Sequence, residues 1–256
     1  MTPNVQAAGP EEACFGFRDV ESPNGAWDQV PLTLQDVLHP RLGDKIAHSP
    51  LHNRDRDHLF QVFRFKLRGP AHAFAASNLL IDLGLEGVPP VCPDAGCFVG
   101  LDHPPDLAAS VFRLKPSGGR CLALVEIASP WTRLLDTGIK LDLYHRAEVP
   151  LYAVIDHETT EAPRVLRAFR WTPDRYEEMV LEDGWLPMPF LGLSLGMIAG
   201  QVACRDLVSG RVIPDHAMAS ARLDALRRSE AEAREAALRR ELDALREQLA
   251  RLQPPA

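Results

Sequence analysis

The stretch CLALVEI, residues 121–127, constrains this chain more than any other. Apart from Glu126 every residue in it is apolar. A continuous apolar run of this length suits a β-strand buried on both faces, as in a sheet covered by helices. An ionised carboxylate in such a strand is costly unless it is paired or binds a metal. Glu126 is therefore either half of a structural bridge to an arginine or part of a functional site.

The surrounding segments supply the sheet. Leu79–Leu83 and Ala95–Leu101 are further strand candidates, the second introduced by Pro93-Asp94. A helix is expected from about Asp136, as N-cap, to Ala147, with Ile139, Leu143 and Ala147 on one face. Pro150 stops it, and Leu151–Ile155 is the next strand. Strand, helix and strand at this spacing imply a crossover unit. Residues 164–182 alternate as a hairpin turning at Pro173-Asp174, and 185–200 read as an edge segment closing the core. The expectation is an α/β fold, a mixed sheet flanked by helices.

Three regions are expected. Residues 1–30, rich in Pro, Gly, Asn and Glu, read as a flexible leader. Residues 31–210 form the folded domain. It opens with a short ordered segment, 31–48, and a helix that Ser49 caps and Pro50 begins. Leu59, Phe60, Phe63 and Leu67 give that helix its apolar face, and His52, seven residues before Leu59, points the same way. Residues 216–253 are rich in Ala, Leu, Glu and Arg and read as a C-terminal helix. Leu238, Leu242, Leu245, Leu249 and Leu252 step by four and three, a coiled-coil seam of about two heptads. Two readings stand: a homo-oligomer contact through this helix, or a solvated helix held by Glu–Arg pairs.

Charge and cysteine usage narrow the function. The formal net charge of −7 counts against a broad non-specific surface for nucleic acid, but not against a small cleft where a metal screens carboxylate from phosphate. The five cysteines are irregularly spaced, and Cys92 and Cys97 have no second pair to complete a zinc site, so free thiols are expected. The chain has no run of about 18 apolar residues and no signal-peptide pattern at its start, which predicts a cytoplasmic protein with no membrane segment. Ser129 lacks a nucleophile-elbow context, and no phosphate-binding glycine loop occurs.

Asp94 opens the strand preceding that of Glu126. If the two strands are neighbours, both carboxylates meet at one end of the sheet. Such a pair is a hard, oxygen-rich site suited to Mg²⁺ or Mn²⁺. Lys140, on the following helix, can return over the strand end to orient or deprotonate a water, or to stabilise negative charge. The structural alternatives are a turn role for Asp94, an arginine partner for Glu126 and a solvated Lys140.

The order of these residues resembles the PD-(D/E)XK nuclease superfamily, and more narrowly the bacterial Uma-two family of restriction-endonuclease-like proteins. The stretches that carry the resemblance are SPLHN (49–53), PDAGCFVG (93–100), LVEIASPWTRLLDTGIKLDLYHRAEVPLYAVID (124–156) and FLGLSLG (190–196), within roughly residues 32–210. The resemblance implies a restriction-endonuclease-like core and Mg²⁺-dependent hydrolysis of phosphodiester bonds, with DNA as the partner. It implies that Asp94 and Glu126 are metal ligands, that Lys140 is the catalytic lysine moved from strand to helix, and that His52 lies beside the cleft. The superfamily motif has lysine two residues after the glutamate; Ala128 stands there, in keeping with that migration. The alternative is a catalytically inactive nuclease-fold module that binds a partner or nucleic acid and oligomerises through its C-terminal helix.

Overall fold

The computed structural model describes residues 15–23, 25–69, 72–106, 108–129, 132–156 and 162–215, with Arg228, Ser229, Glu232, Arg234, Glu235 and Arg239 beyond them. The chain divides into two units, Met1–Ile213 and Pro214–Ala256. In the second unit Arg228, Ser229, Glu232, Arg234, Glu235 and Arg239 are helical, and Arg239 pairs with Glu235 one turn earlier at 2.6 Å. The leucines of the expected seam, 238–252, lie outside the described residues.

The first unit opens with strands β1 (Gly16–Glu21) and β2 (Trp27–Pro31), helix α1 (Leu34–Leu38), strand β3 (Lys45–Ile46) and helix α2 (Pro50–Lys66). Strands β4 (Phe74–Ala76), β5 (Leu80–Asp82), β6 (Ala95–Val99), β7 (Val111–Arg113) and β8 (Arg120–Ile127) follow. A π-helical turn, Leu135–Ile139, leads into α3 (Lys140–Arg146). The unit ends with β9 (Leu151–Asp156), β10 (Val165–Trp171), β11 (Tyr176–Glu178), β12 (Leu186–Met188), β13 (Leu193–Ile198), β14 (Gln201–Asp206) and β15 (Val212–Ile213).

The central sheet has six strands in the order β11-β10-β9-β8-β6-β4. It is mixed: β8 and β9 run parallel, joined through α3, and the other neighbours are antiparallel. The expected crossover is therefore present, and β8 sits at its centre. Its side chains alternate between two cores. Ala123, Val125 and Ile127 join Leu59, Val62 and Phe63 of α2 and the inner residues of β12–β14. Leu124 faces the other way, among Leu143 and Tyr144 of α3 and Tyr152 of β9. Glu126 shares the parity of Leu124, so it is aimed at α3. Burying Leu124, Val125 and Ile127 contributes roughly 1.5–3 kcal/mol each, enough to hold in place a strand that also carries a buried carboxylate costing several.

Three expectations are corrected. Of the segment read as a flexible leader, residues 16–21 and 27–31 form β1 and β2, which pair antiparallel in a three-stranded sheet with β3. Gly16, at φ +125°, lets β1 pass against Lys45; a Cβ there would run into the Lys45 carbonyl oxygen. The strand expected at Leu79–Leu83 is present as β5, which pairs in parallel with β7 outside the central sheet. Residues 185–200 are more than an edge segment: β12 to β15 make a separate four-stranded sheet, with β13 and β14 joined through Ala199 and Gly200, both at positive φ. Finally, Asp136 is not an N-cap. It is buried within the π turn, and Ile139 is half exposed rather than packed inward. Among the described residues, no helix is long and apolar enough to cross a membrane.

Candidate active site

Pairing of β6 with β8 sets Ala95 opposite Val125, which brings Asp94, one residue before β6, beside Glu126. The Asp94 amide donates to Glu126 Oε2 at 3.3 Å, and the Ile127 amide donates to Asp94 Oδ2 at 2.9 Å. The Glu126 carboxylate is thus held by the Asp94 amide, and the Asp94 carboxylate by the amide of Ile127, next after Glu126, at one end of the sheet. Asp94 Oδ1 lies 2.8 Å from His52 Nε2. His52 is placed by the start of α2, where Ser49 Oγ accepts from the His52 amide, and its ring stacks on that of His48 at 4.1 Å.

The other side of the site comes from the turn and helix that follow. Lys140 Nζ lies 3.1 Å from Glu126 Oε2 and 2.8 Å from Asp136 Oδ1. Tyr144, one turn further along, donates its hydroxyl to Glu126 Oε1 at 2.7 Å. Residues 136, 140 and 144 therefore present one face to the strand end, at the spacing that aligns side chains on a helix. Asp136 Oδ1 meets the lysine as a close ion pair and is buried.

Burial raises the Glu126 carboxyl to about 8; Lys140 pulls it down, while Asp136 and Asp94 add to the rise. The Asp136 carboxyl is likewise raised by burial. Asp94 goes the other way. Burial opposes its ionisation, but the His52 hydrogen bond, the Lys140 charge and the Ile127 amide prevail and hold it at about 2. For Lys140, burial disfavours the ammonium, but Asp136, Glu126 and Asp94 outweigh it and raise the group above its ordinary value. Lys140 is a permanent cation here, suited to stabilising charge rather than to removing a proton. Burial lowers the His48 imidazole to about 4, so that ring is neutral near pH 7.

All four expected residues line one cavity of about 380 Å³, together with Asp136 and His48. Asp136 and Tyr144 were not among the residues expected to act; their signal was the spacing Asp136, Lys140, Tyr144 in the segment DTGIKLDLY. Cys92 also borders the cavity, and burial pushes its thiol up to about 12, so it is no thiolate nucleophile. Cys92, Cys97, Cys121 and Cys204 are free thiols, as expected; Cys14 lies outside the described residues. Arg133 forms two hydrogen bonds to the buried Asp156, a structural role.

The donor set fits a hard divalent cation. Among the described residues, no three His, Cys, Asp or Glu side chains surround one ion position. Mg²⁺ does not require that: one or two carboxylates, waters and substrate oxygens complete its shell. Three acids, Asp94, Glu126 and Asp136, meet here around one lysine, which leaves negative charge for a further cation to offset.

A family profile, Uma2, described as "Putative restriction endonuclease", matches residues 43–203. No curated protein matches the chain. Among solved structures, a "putative nuclease belonging to DUF820" from Anabaena variabilis is similar at 15% identity, covering 63% of this chain and 91% of that one, with a TM-score of 0.44.

Proposed function

Because the chain belongs to the Uma2 family of restriction-endonuclease-like proteins, its profile spanning 43–203, we propose that this cavity is the centre of a metal-dependent endonuclease that hydrolyses phosphodiester bonds in DNA. The observation that carries the reading is the convergence of Asp94, Glu126 and Lys140, from a strand start, a strand end and a helix, on one cavity. Asp94 and Glu126 would hold Mg²⁺ or Mn²⁺. When bound, such an ion lowers the pKa of a water and offsets charge on the phosphoryl group.

The chain's own groups do the rest. His52 and the Ile127 amide hold the Asp94 carboxylate ionised and oriented. Tyr144 fixes Glu126 Oε1 and leaves Oε2 toward the lysine and the cavity. Lys140, anchored by Asp136, keeps an ammonium where negative charge develops as water adds to phosphorus and the alkoxide leaves. The products are a phosphomonoester end and a hydroxyl end.

Plasmid nicking and oligonucleotide cleavage with Mg²⁺ or Mn²⁺ test the reading. Wild-type protein cleaves, and Asp94→Asn and Glu126→Ala are inactive though folded. Equal background cleavage by all three leaves the binding-module reading in its place.

A further inference from the structure

The cavity has two linings of different chemistry. One is the acid, lysine and histidine set described above. The other is apolar and comes largely from the N-terminal segment: Phe15 just before β1, Val37 of α1, Ile46 of β3, Ala47 and Leu51 at the start of α2. Phe15 and Val37 precede the family match, which begins at residue 43. This wall is built into the fold. The Ala47 amide donates to the Phe15 carbonyl at 2.9 Å, and Gly16 permits the close pass of β1 along β3. Arg18 ties β1 to Asp44 and to Asp36 of α1.

Little of the chemical groups is in view. The side chains of Glu126 and Lys140 are 2% and 7% exposed, and those of His52 and Asp94 10% and 13%. A duplex carries its phosphates on the outside of a stiff rod, and a rod cannot follow a phosphate into a cavity of about 380 Å³. That volume is near the lower end of the ~300–1,000 Å³ typical of small-ligand pockets, about the scale of one nucleotide. The charges agree. Lys140 and Arg164, the lysine and arginine among the lining residues, are each committed to buried acids, Lys140 to Glu126 and Asp136 and Arg164 to Asp55. With a net charge of −7, the protein is poorly equipped to grip a long phosphate backbone.

We propose that the N-terminal wall restricts this centre to an unpaired polynucleotide strand, one nucleotide of which enters the cavity with its phosphate toward Asp94 and Glu126 and its base against Phe15, Val37 and Leu51. The inference rests on the nuclease reading for the phosphate end; the base end rests on the wall alone. Aromatic and aliphatic side chains accept any base through its π-face, so the preference is for strandedness rather than sequence.

The test measures binding separately from turnover. A short labelled single-stranded oligodeoxynucleotide and its duplex are titrated with full-length protein in Ca²⁺ and followed by anisotropy; the same pair is then cleaved in Mn²⁺. The single strand binds about 10-fold or more tighter than the duplex, and is the faster substrate where cleavage occurs. Phe15→Ala weakens single-strand binding about 5-fold or more while Mn²⁺ affinity is unchanged. Leu51→Glu, at a partly exposed position that tolerates charge, does the same should Phe15→Ala fold poorly. Duplex binding equal to or tighter than single-strand binding overturns the inference, as does indifference of a folded wall variant. Single-strand binding without cleavage supports the wall and removes the catalytic reading, so the two can fail separately.

Discussion

Lys140 Nζ stands 3.1 Å from Glu126 Oε2 and 2.8 Å from Asp136 Oδ1, an ammonium bound between two carboxylates that are both buried. The pair with Asp136 is local to one helical face; the pair with Glu126 joins α3 to the end of β8. Lys140→Met removes the cation and leaves the acids. Breaking a buried pair on one side costs about 3–5 kcal/mol, here reduced because Glu126 and Asp136 take up protons readily. The expected outcome is a lower melting temperature, with a larger loss at pH 8 than at pH 5. Cleavage falls by about 10²–10³ through lost charge stabilisation, while Mn²⁺ affinity, read by calorimetry, is kept or rises.

Glu126 gives a pH prediction of definite sign. Its carboxyl is raised from an ordinary 4.5 to about 8 in the folded chain. The folded state therefore holds a proton that the unfolded state gives up. The associated stability is complete below pH 4.5 and is lost as pH rises through about 8. Glu126→Gln has no such proton to lose. Without metal, its advantage over wild type should be small near pH 4.5 and grow to a few kcal/mol, as an order of magnitude, at pH 8. Thermal melts of both proteins across that range measure it. A constant difference between them contradicts the raised carboxyl.

How much of this was open to sequence reading depends on the signal each residue gives. Glu126 stood out because an acid interrupts an apolar strand, and Asp94 because Pro-Asp opens the neighbouring one. Lys140 was reachable through the crossover helix, and His52 through its spacing from Leu59. Asp136 departs from the expected N-cap for a physical reason. Asp followed by Thr and Gly is good N-cap chemistry, and a π turn, which carries Asp136 inward, has no clear sequence mark. Strands β1 and β2 were hidden by a composition of Pro, Gly and Asn that is common in loops, and β2 is exposed along its whole length, so it lacks the apolar alternation that marks a strand. The hairpin of β13 and β14 turns on Ala199-Gly200, a weaker cue than Asn-Gly, within a segment whose apolar run resembled one edge strand.

In the proposed centre Tyr144 would act as a positioning residue. Its hydroxyl is the donor to Glu126 Oε1 at 2.7 Å, deep in the protein. Tyr144→Phe keeps the ring packed against Tyr152 and removes the hydrogen bond alone. Leaving that carboxylate oxygen without its donor costs about 1–3 kcal/mol of stability at pH 8. Support of this kind behind a ligand commonly affects metal affinity or activity by about 10–100-fold. Melting curves and Mn²⁺ titration of the variant check both, and unchanged values in each would refute the role.

Asp55 provides a contrast, a buried acid whose work is structural. It accepts from Arg164 at 2.6 Å and from the Val202 amide at 3.3 Å, tying α2 to β14. Asp55→Ala takes the carboxylate from Arg164, whose side chain is only 10% exposed and keeps the Gly200 carbonyl as an acceptor, and should cost about 3–5 kcal/mol. Arg164 also lines the cavity, so its freed guanidinium puts a cation on the same wall as the two ligands, and Mn²⁺ affinity measured below the melting point should fall, but by less than the roughly 10-fold or more expected on losing a ligand. A large loss of metal affinity would tie this pair to the active centre.

The central claim is that Asp94 and Glu126 together hold a divalent cation. It is tested most directly by titrating Mn²⁺ into wild type, Asp94→Asn and Glu126→Gln by calorimetry at pH 8, with circular dichroism to establish that all three are folded. The account predicts saturable binding to wild type, with proton release because Glu126 must ionise, and a loss of about 10-fold or more in affinity in each variant. Equal affinity in all three proteins, or no saturable binding to wild type, would contradict it.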